Sequence, residues 1–200
     1  MNRKEIKARA KETFKANYGT HVVTNLLYGL LIGVAGGTLI GIILLGGPLS
    51  VGMMNFHKKA AHKENEEVSD MFSGFNNFEN SVVGYLLTCL FIALWSLLLI
   101  IPGIIMSFAY AMVPYLLNKD HNLKGSDALK LSKQMMKGHK WQLFVLGLSF
   151  IGWILLDALT FGILGILYVA PYQAQSFYNF YEEVDKEYNG TNTQEAKVVE

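Results

Sequence analysis

Residues 80–118 read NSVVGYLLTCLFIALWSLLLIIPGIIMSFAYAMVPYLLN and contain no Asp, Glu, Lys or Arg. A helix needs about 20 apolar residues to cross roughly 30 Å of hydrocarbon, so this stretch is long enough for two crossings. Pro102-Gly103 lies near its centre, where proline lacks an amide donor and glycine tolerates a tight turn. The stretch therefore predicts a helical hairpin in a membrane, with arms at 81–101 and 104–118.

Two further blocks of the same kind flank this stretch. Residues 16–57 carry no charged side chain, and residues 141–181 carry a single acid, Asp157. The whole chain of 200 residues is 52% hydrophobic and 16% charged, whereas an average soluble protein has about 25% charged residues. This composition excludes a disordered chain and disfavours an ordinary soluble domain. It predicts an all-α integral membrane protein with six transmembrane helices.

The three blocks form one predicted membrane domain over residues 1–182. We expect three hairpins, at about 20–57, 81–118 and 141–182. The first block is open to two interpretations: Gly36-Gly37 is the tip of a hairpin, or one long helix crosses and leaves Gly46-Gly47-Pro48 in an apolar remainder. The polar residues 183–200 predict a disordered tail.

Two polar segments have amphipathic patterns. Near residues 3–15, Ile6, Ala10 and Phe14 recur at steps of four among six cations, which suits a helix on an anionic leaflet or a positive flank that orients the first crossing. Near residues 126–138, a basic stripe lies opposite Ala128, Leu131 and Met135. This stripe predicts an interfacial helix whose lysines contact lipid headgroups, with a solvated basic loop as the alternative; its members are Lys130, Lys133, Lys137 and Lys140.

Small residues and prolines suggest how the helices pack. A ladder of glycines at intervals of four predicts close helix contact in lipid: Gly29, Gly33, Gly37 and Gly41. Four prolines are candidate kinks: Pro48, Pro102, Pro114 and Pro171. Three of them, all except Pro102, lie in the second arm of a block, which is consistent with three hairpins related by duplication.

The cations predict the orientation of the protein. With three hairpins, both termini and both polar connections lie on one side, and that side then holds all 17 Lys and Arg residues. The positive-inside rule places this side in the cytoplasm. We therefore expect a plasma-membrane protein with both termini cytoplasmic.

The sequence shows no catalytic signature. It has no H-E-x-x-H, no G-x-S-x-G, no phosphate loop and no second cysteine to pair with Cys89. His57 and His62 are five residues apart, a poor fit to two metal ligands on one helix face, so no metal or cofactor is predicted. Asp157 is the candidate intramembrane polar site: a proton relay, an ion ligand, an ion-pair member or a hydrated boundary carboxylate.

Several short motifs together resemble a bacterial membrane family, common in Firmicutes, known as domain of unknown function nine-seven-five. They include Phe72-Ser73-Gly74-Phe75, Ile100-Ile101-Pro102-Gly103-Ile104, Met136-Lys137-Gly138-His139-Lys140-Trp141 and Pro171-Tyr172. The resemblance extends over residues 1 to about 182. It implies a six-helix layout similar to the membrane domain of some glycerophosphodiester phosphodiesterases, and it implies no catalytic residue.

Three classes of function fit these observations. The favoured one is a non-enzymatic scaffold or envelope-associated protein in contact with membrane lipids, with protein partners or a second copy of itself, and with no nucleic acid. The alternatives are a transporter or channel for a lipid, amphiphile or small solute, and a membrane enzyme acting on lipid headgroups. Polar residues converging in one cavity would favour transport, and a dry bundle would favour the scaffold.

Overall fold

The computed structural model describes residues 2–98 and 100–198, and all regular structure in this part of the chain is helical. The α-helices are α1 (Arg3–Ala16), α2 (Tyr18–Ala35), α3 (Leu39–Ala61), α4 (Phe78–Leu98), α5 (Ile100–Ala109), α6 (Val113–Lys119), α7 (Gly125–Met135), α8 (Lys140–Leu148), α9 (Ile151–Leu159) and α10 (Ala170–Val198). A 3-10 helix spans Val68–Asn77, and a π-helical turn spans Gly165–Val169. The predicted all-α class is confirmed.

Five helical stretches of the described chain are long and apolar enough to cross a membrane. They are Tyr18–Ala35, Ile40–Ala61, Val68–Leu97, Ile101–Lys119 and Lys140–Leu159. Large apolar side chains cover their outer surfaces; Val34 is 73% exposed, Leu97 89% and Leu159 77%. A soluble protein does not expose apolar surface on this scale, so these helices suit a lipid environment.

The first block forms two helices separated by a turn at residues 36–38. The Thr38 hydroxyl accepts a hydrogen bond from Gly41 N at 3.0 Å and thereby caps α3. The alternative of one long helix through residues 36–38 is therefore wrong. Gly36-Gly37 lies in the turn, as the hairpin interpretation predicted.

The second block folds back on itself close to Pro102-Gly103, because Gly103 lies against Ser96. Helix α4 ends at Leu98 and α5 begins at Ile100, while residue 99 is outside the described residues. Pro102 is in the first turn of α5, where a missing amide proton leaves no helical hydrogen bond unmade. Gly103 packs directly against Ser96 of α4, which explains why a glycine follows the proline.

The third block also turns, at residues 160–162, where Phe161 and Gly162 have positive φ angles of 52° and 85°. Its first arm is divided into α8 and α9 by a break at Ser149 and Phe150. Its second arm begins irregularly, because the π-helical turn precedes α10.

Burial separates the first arms of the blocks from the second. The buried share is 17% for Tyr18–Ala35 and 11% for Val68–Leu97, but 50% for Ile40–Ala61 and 56% for Ile101–Lys119. Helices α3, α6 and α10 meet at the centre, where the Tyr115 ring lies 5.7 Å from the Tyr178 ring. The second arms therefore form the inside of the bundle, and the first arms form its periphery.

One end of the bundle is closed by a packed unit that we call the cap. It consists of α1, the second half of α3, the 3-10 helix, α6, α7 and α10. Helix α1 forms as predicted, but its apolar stripe packs inside the protein: Ile6 is 3% exposed, and Ala10 and Phe14 are fully buried. This stripe therefore does not lie in lipid, because α10 covers it.

The prediction of a disordered tail over residues 183–200 is wrong for its described part. Helix α10 continues to Val198, and Val184 is fully buried. Asp185 accepts hydrogen bonds from Lys119 Nζ at 2.6 Å and from the Tyr115 hydroxyl at 3.1 Å. Contacts to α6 therefore order a segment whose polar composition predicts disorder. Residues 199 and 200 lie outside the described residues.

Candidate functional site

Two histidines are buried side by side where the cap joins the membrane helices. His21, in the first turn of α2, and His57, near the end of α3, are fully buried, with ring centroids 5.9 Å apart. The Phe56 ring meets His21 edge-on at 4.9 Å, and the Phe14 ring does so at 5.8 Å. No sequence pattern indicates this pair, because both histidines fall at block edges and come together only through folding.

Gln175 of α10 fixes the chemical state of His57. Its side-chain Nε2 donates to the His57 carbonyl oxygen at 3.2 Å and to Asn179 Oδ1 at 3.1 Å. Its Oε1, which can only accept, lies 2.8 Å from His57 Nδ1. His57 Nδ1 therefore carries a proton, and Nε2 of the neutral ring is a bare lone pair.

Four buried polar atoms around this pair have no hydrogen-bond partner among the described residues. They are His57 Nε2, both ring nitrogens of His21, and Thr24 Oγ1. An unpaired buried polar atom typically costs about 1–3 kcal/mol. Such a group can hold a water molecule, relay a proton or bind a cation. The described residues contain no cluster of three metal-ligating side chains, so a metal would have few protein ligands here.

Apart from Gly41 of α3, which lies against Ala35 at the end of α2 beside the turn, the glycine ladder makes no close contact between helices within the described chain. A Cβ at Gly29 or Gly33 would have no atom within 4 Å, and those at Gly37 and Gly41 would meet only atoms of residues 34–38, in or just before the turn. Close helix contact occurs at scattered glycines instead. A Cβ added at Gly47, Gly52 or Gly74 would overlap the backbone of another element. A Cβ added at Gly125 would lie 2.5 Å from Gly84 N. No periodic signal marks these positions, because they lie on different elements.

The four candidate kink prolines occupy different positions. Pro48 lies within α3, which continues from Leu39 to Ala61. Pro114 lies in the first turn of α6, after the break at residues 110–112 that ends α5. Pro171 follows the π-helical turn, and Pro102 lies in the first turn of α5. Three prolines therefore stand at or just after a helix start, and one stands in a helix interior.

Asp157 has a structural partner across the third turn. A carboxylate oxygen accepts a hydrogen bond from the backbone N–H of Gly165, at the start of the π-helical turn. A Cβ at Gly165 would lie 2.5 Å from Asp157 Oδ2, so a larger residue there would push the carboxylate away from the Gly165 N–H. The carboxylate thus fastens the outer end of the hairpin. It also lines a cleft of about 490 Å³ that Asn25 and Gly29 of α2 border.

A comparison with known protein families matches the segment from the end of α4 into α10. Residues 97–188 match the sequence model of a family described as a protein of unknown function, DUF975. This is the family that the motifs predicted. No curated protein and no solved structure matches the chain. The DUF975 match includes Gln175 and Asp157, whereas His21 and His57 precede it.

The predicted basic helix lies within the DUF975 match and is shorter than expected. Helix α7 ends at Met135 rather than near residue 138, because Gly138 adopts a φ of 92° in the following turn. Lys130, Lys133 and Lys137 are exposed, and Lys140 begins α8.

The apolar face of α7 packs against protein. Met135 is 3% exposed, and the Ser132 hydroxyl donates to the Ala109 carbonyl oxygen at 2.8 Å. Met135 therefore does not anchor the helix in lipid, because it is buried in the protein core on the face of α7 that packs against α5. The lysines themselves remain free to face a membrane or a partner, apart from the exposed pair of Lys130 with Asp127 at 3.2 Å.

Proposed function

We propose that this protein is a non-enzymatic integral membrane protein that crosses the bilayer six times and holds a rigid helical cap at the cytoplasmic face. The observation that carries the proposal is the division of burial: the peripheral helices expose apolar side chains, whereas the cap has a closed core. A cap built this way suits a scaffold that presents a fixed polar surface beside the membrane.

The packing of the two chain ends supports an even number of crossings. Helix α1 precedes the first apolar block and α10 follows the last, yet Arg9 NH2 lies 2.8 Å from Glu183 Oε1, and Asn179 Nδ2 donates to the Ile6 carbonyl oxygen at 3.4 Å. Both ends are therefore on one side of the bundle. Five spans cannot satisfy this arrangement, so residues 163–182 are the proposed sixth.

Charge supports the cytoplasmic placement of the cap. The turns at 36–38 and 160–162 contain no Lys or Arg, and the segments at the other end contain all 17. The positive-inside rule then assigns the cap to the cytoplasm of a bacterial cell. In this position the lysines of α7 can contact anionic lipids, a protein partner or a second copy.

Transport is the second candidate, and the unpaired polar atoms of His21, Thr24 and His57 favour it. Polar groups buried in membrane helices carry function more often than elsewhere, and a bare imidazole nitrogen can pass a proton. A lipid-headgroup enzyme has no comparable observation in its favour.

Proton flux separates the two candidates. Purified protein in liposomes with a trapped pH dye and an imposed pH gradient should lose the gradient no faster than protein-free liposomes. The His57→Ala variant should behave identically. A faster decay that His57→Ala abolishes, and that the exposed-site control His121→Ala retains, would contradict the scaffold and establish a proton pathway.

A further inference from the structure

A groove lies between the first turn of α1 and the start of α8. It encloses about 340 Å³, which is within the range of small-molecule sites. Its floor is apolar and buried, formed by Ile6, Leu146 and Phe180, with exposures of 3%, 1% and 1%. Its rim is polar and exposed.

The rim carries hydrogen-bond donors without partners. Arg3 and Lys4 make no side-chain hydrogen bond or ion pair with any described residue. The side-chain Oε1 of Gln142 accepts a hydrogen bond from His139 Nδ1 at 3.1 Å, so the NH2 group of Gln142 is available to donate. Lys7 lies one turn further along α1. Its pKa is lowered mainly by burial and also by the neighbouring positive charge of Arg3. Residues 3–7 at the start of α1 carry three cations, Arg3, Lys4 and Lys7, and one acid, Glu5, so this end of the helix has a net positive charge.

The groove lies at the start of α8, where the apolar stretch Lys140–Leu159 begins. Trp141 lines it and is 70% exposed, as expected of an aromatic side chain at a membrane boundary. Val145 continues the groove wall along α8, and Leu148, one turn further, is exposed on the same face. A path thus leads from the cationic rim to the apolar surface of the helices.

We propose that this groove is a binding site for an anionic phospholipid, with the phosphate at Arg3, Lys4 and Gln142 and an acyl chain along Val145 toward Leu148. Cations at the rim and an apolar floor together match a ligand that is anionic at one end and apolar at the other. The proposal is independent of the scaffold function, since a transporter could hold the same lipid.

Native mass spectrometry of the full-length protein in detergent, titrated with phosphatidylglycerol or phosphatidylcholine, tests the site. The wild-type protein should bind one phosphatidylglycerol with higher affinity than any phosphatidylcholine. The double variant Arg3→Gln/Lys4→Gln should bind it roughly thirtyfold more weakly, since each of the two cations contributes about 1 kcal/mol near an anionic group and about 1.4 kcal/mol corresponds to a factor of ten. The control Lys11→Gln/Lys15→Gln removes the same charge from the far half of α1 and should bind normally.

A second variant tests the apolar part without changing charge. Val145→Trp fills the groove and should remove the high-affinity phosphatidylglycerol while thermal stability of the lipid-free protein stays near the wild-type value. An equal loss of phosphatidylglycerol affinity in Arg3→Gln/Lys4→Gln and in Lys11→Gln/Lys15→Gln would overturn the proposal, because it would indicate attraction to net charge alone. Equal binding of both lipids by the wild-type protein, or full competition by soluble glycerol phosphate, would overturn it as well.

Discussion

Gly52 of α3 lies so close to Met71 of the 3-10 helix that a Cβ on the glycine would overlap the Met71 carbonyl oxygen. The reciprocal contact is equally tight, because a Cβ at Gly74 would overlap the Pro48 carbonyl oxygen. Two backbones thus meet without side chains between them. This contact attaches the polar connection after α3 to the bundle.

Gly52→Ala should therefore destabilise the protein by about 1–3 kcal/mol or more, since the atom that it strikes is backbone and cannot rotate away. Thermal unfolding in detergent measures the effect. Gly33→Ala is the matched control, because open space surrounds it, and alanine in a helix is more stable than glycine by about 1 kcal/mol. Equal losses in both variants would show that the glycine contact is not tight in solution.

The larger substitution Gly33→Leu should not destabilise the monomer, since leucine is also a better helix former than glycine. The position faces outward, with no part of the described chain within 4 Å of its Cβ. Thermal unfolding of the monomeric fraction checks this expectation. A marked loss would mean that the glycine ladder packs against another helix of the same chain after all.

Gln175→Leu should cost about 1–3 kcal/mol, because it leaves two buried atoms, His57 Nδ1 and Asn179 Oδ1, without the hydrogen bonds that Gln175 makes to them. The unfolding free energy in mixed micelles is the measurement. Gln134→Leu on the exposed face of α7 is the control and should change stability by no more than about 0.5 kcal/mol. A neutral Gln175→Leu would argue that water replaces the lost hydrogen bonds.

Asp185→Asn should lower stability by about 1 kcal/mol, since both Lys119 and the Tyr115 hydroxyl lose a charged acceptor. The partial exposure of Lys119 keeps the effect small. Glu183→Gln breaks the more exposed pair with Arg9 and should be nearly neutral in the same unfolding assay. If the two variants behave alike, the end of α10 is not anchored through Asp185.

Cysteine labelling in cells tests the proposed topology, with Cys89→Ser as the background. Glu64→Cys and Lys124→Cys lie in the connections of the cap and should react with a membrane-impermeant maleimide only after permeabilisation. Gly37→Cys lies in the first turn and should react in intact cells. Labelling of Glu64→Cys from outside would contradict an even number of crossings before the cap connection.

The sequence by itself determined the helical class, the three apolar blocks and candidate positions for their turns. These features are local. The length of an apolar run can be compared directly with the length that a helix needs to cross the hydrocarbon. Gly36-Gly37 and Thr160 to Gly162 favour a turn whatever the rest of the chain contacts. The stripe of Ile6, Ala10 and Phe14 also predicted a helix with one apolar face.

Only the tertiary structure decided what covers each apolar face. The same stripe would suit lipid or protein, and α10 settles the matter by packing on it. His57 and Gln175 are 118 residues apart in sequence, and the Gly52 contact needs Met71 from a separate element, so neither leaves a periodic signal. Helix α10 persists beyond residue 182 for the same reason: its order comes from Tyr115 and Lys119, which composition within the tail cannot reveal.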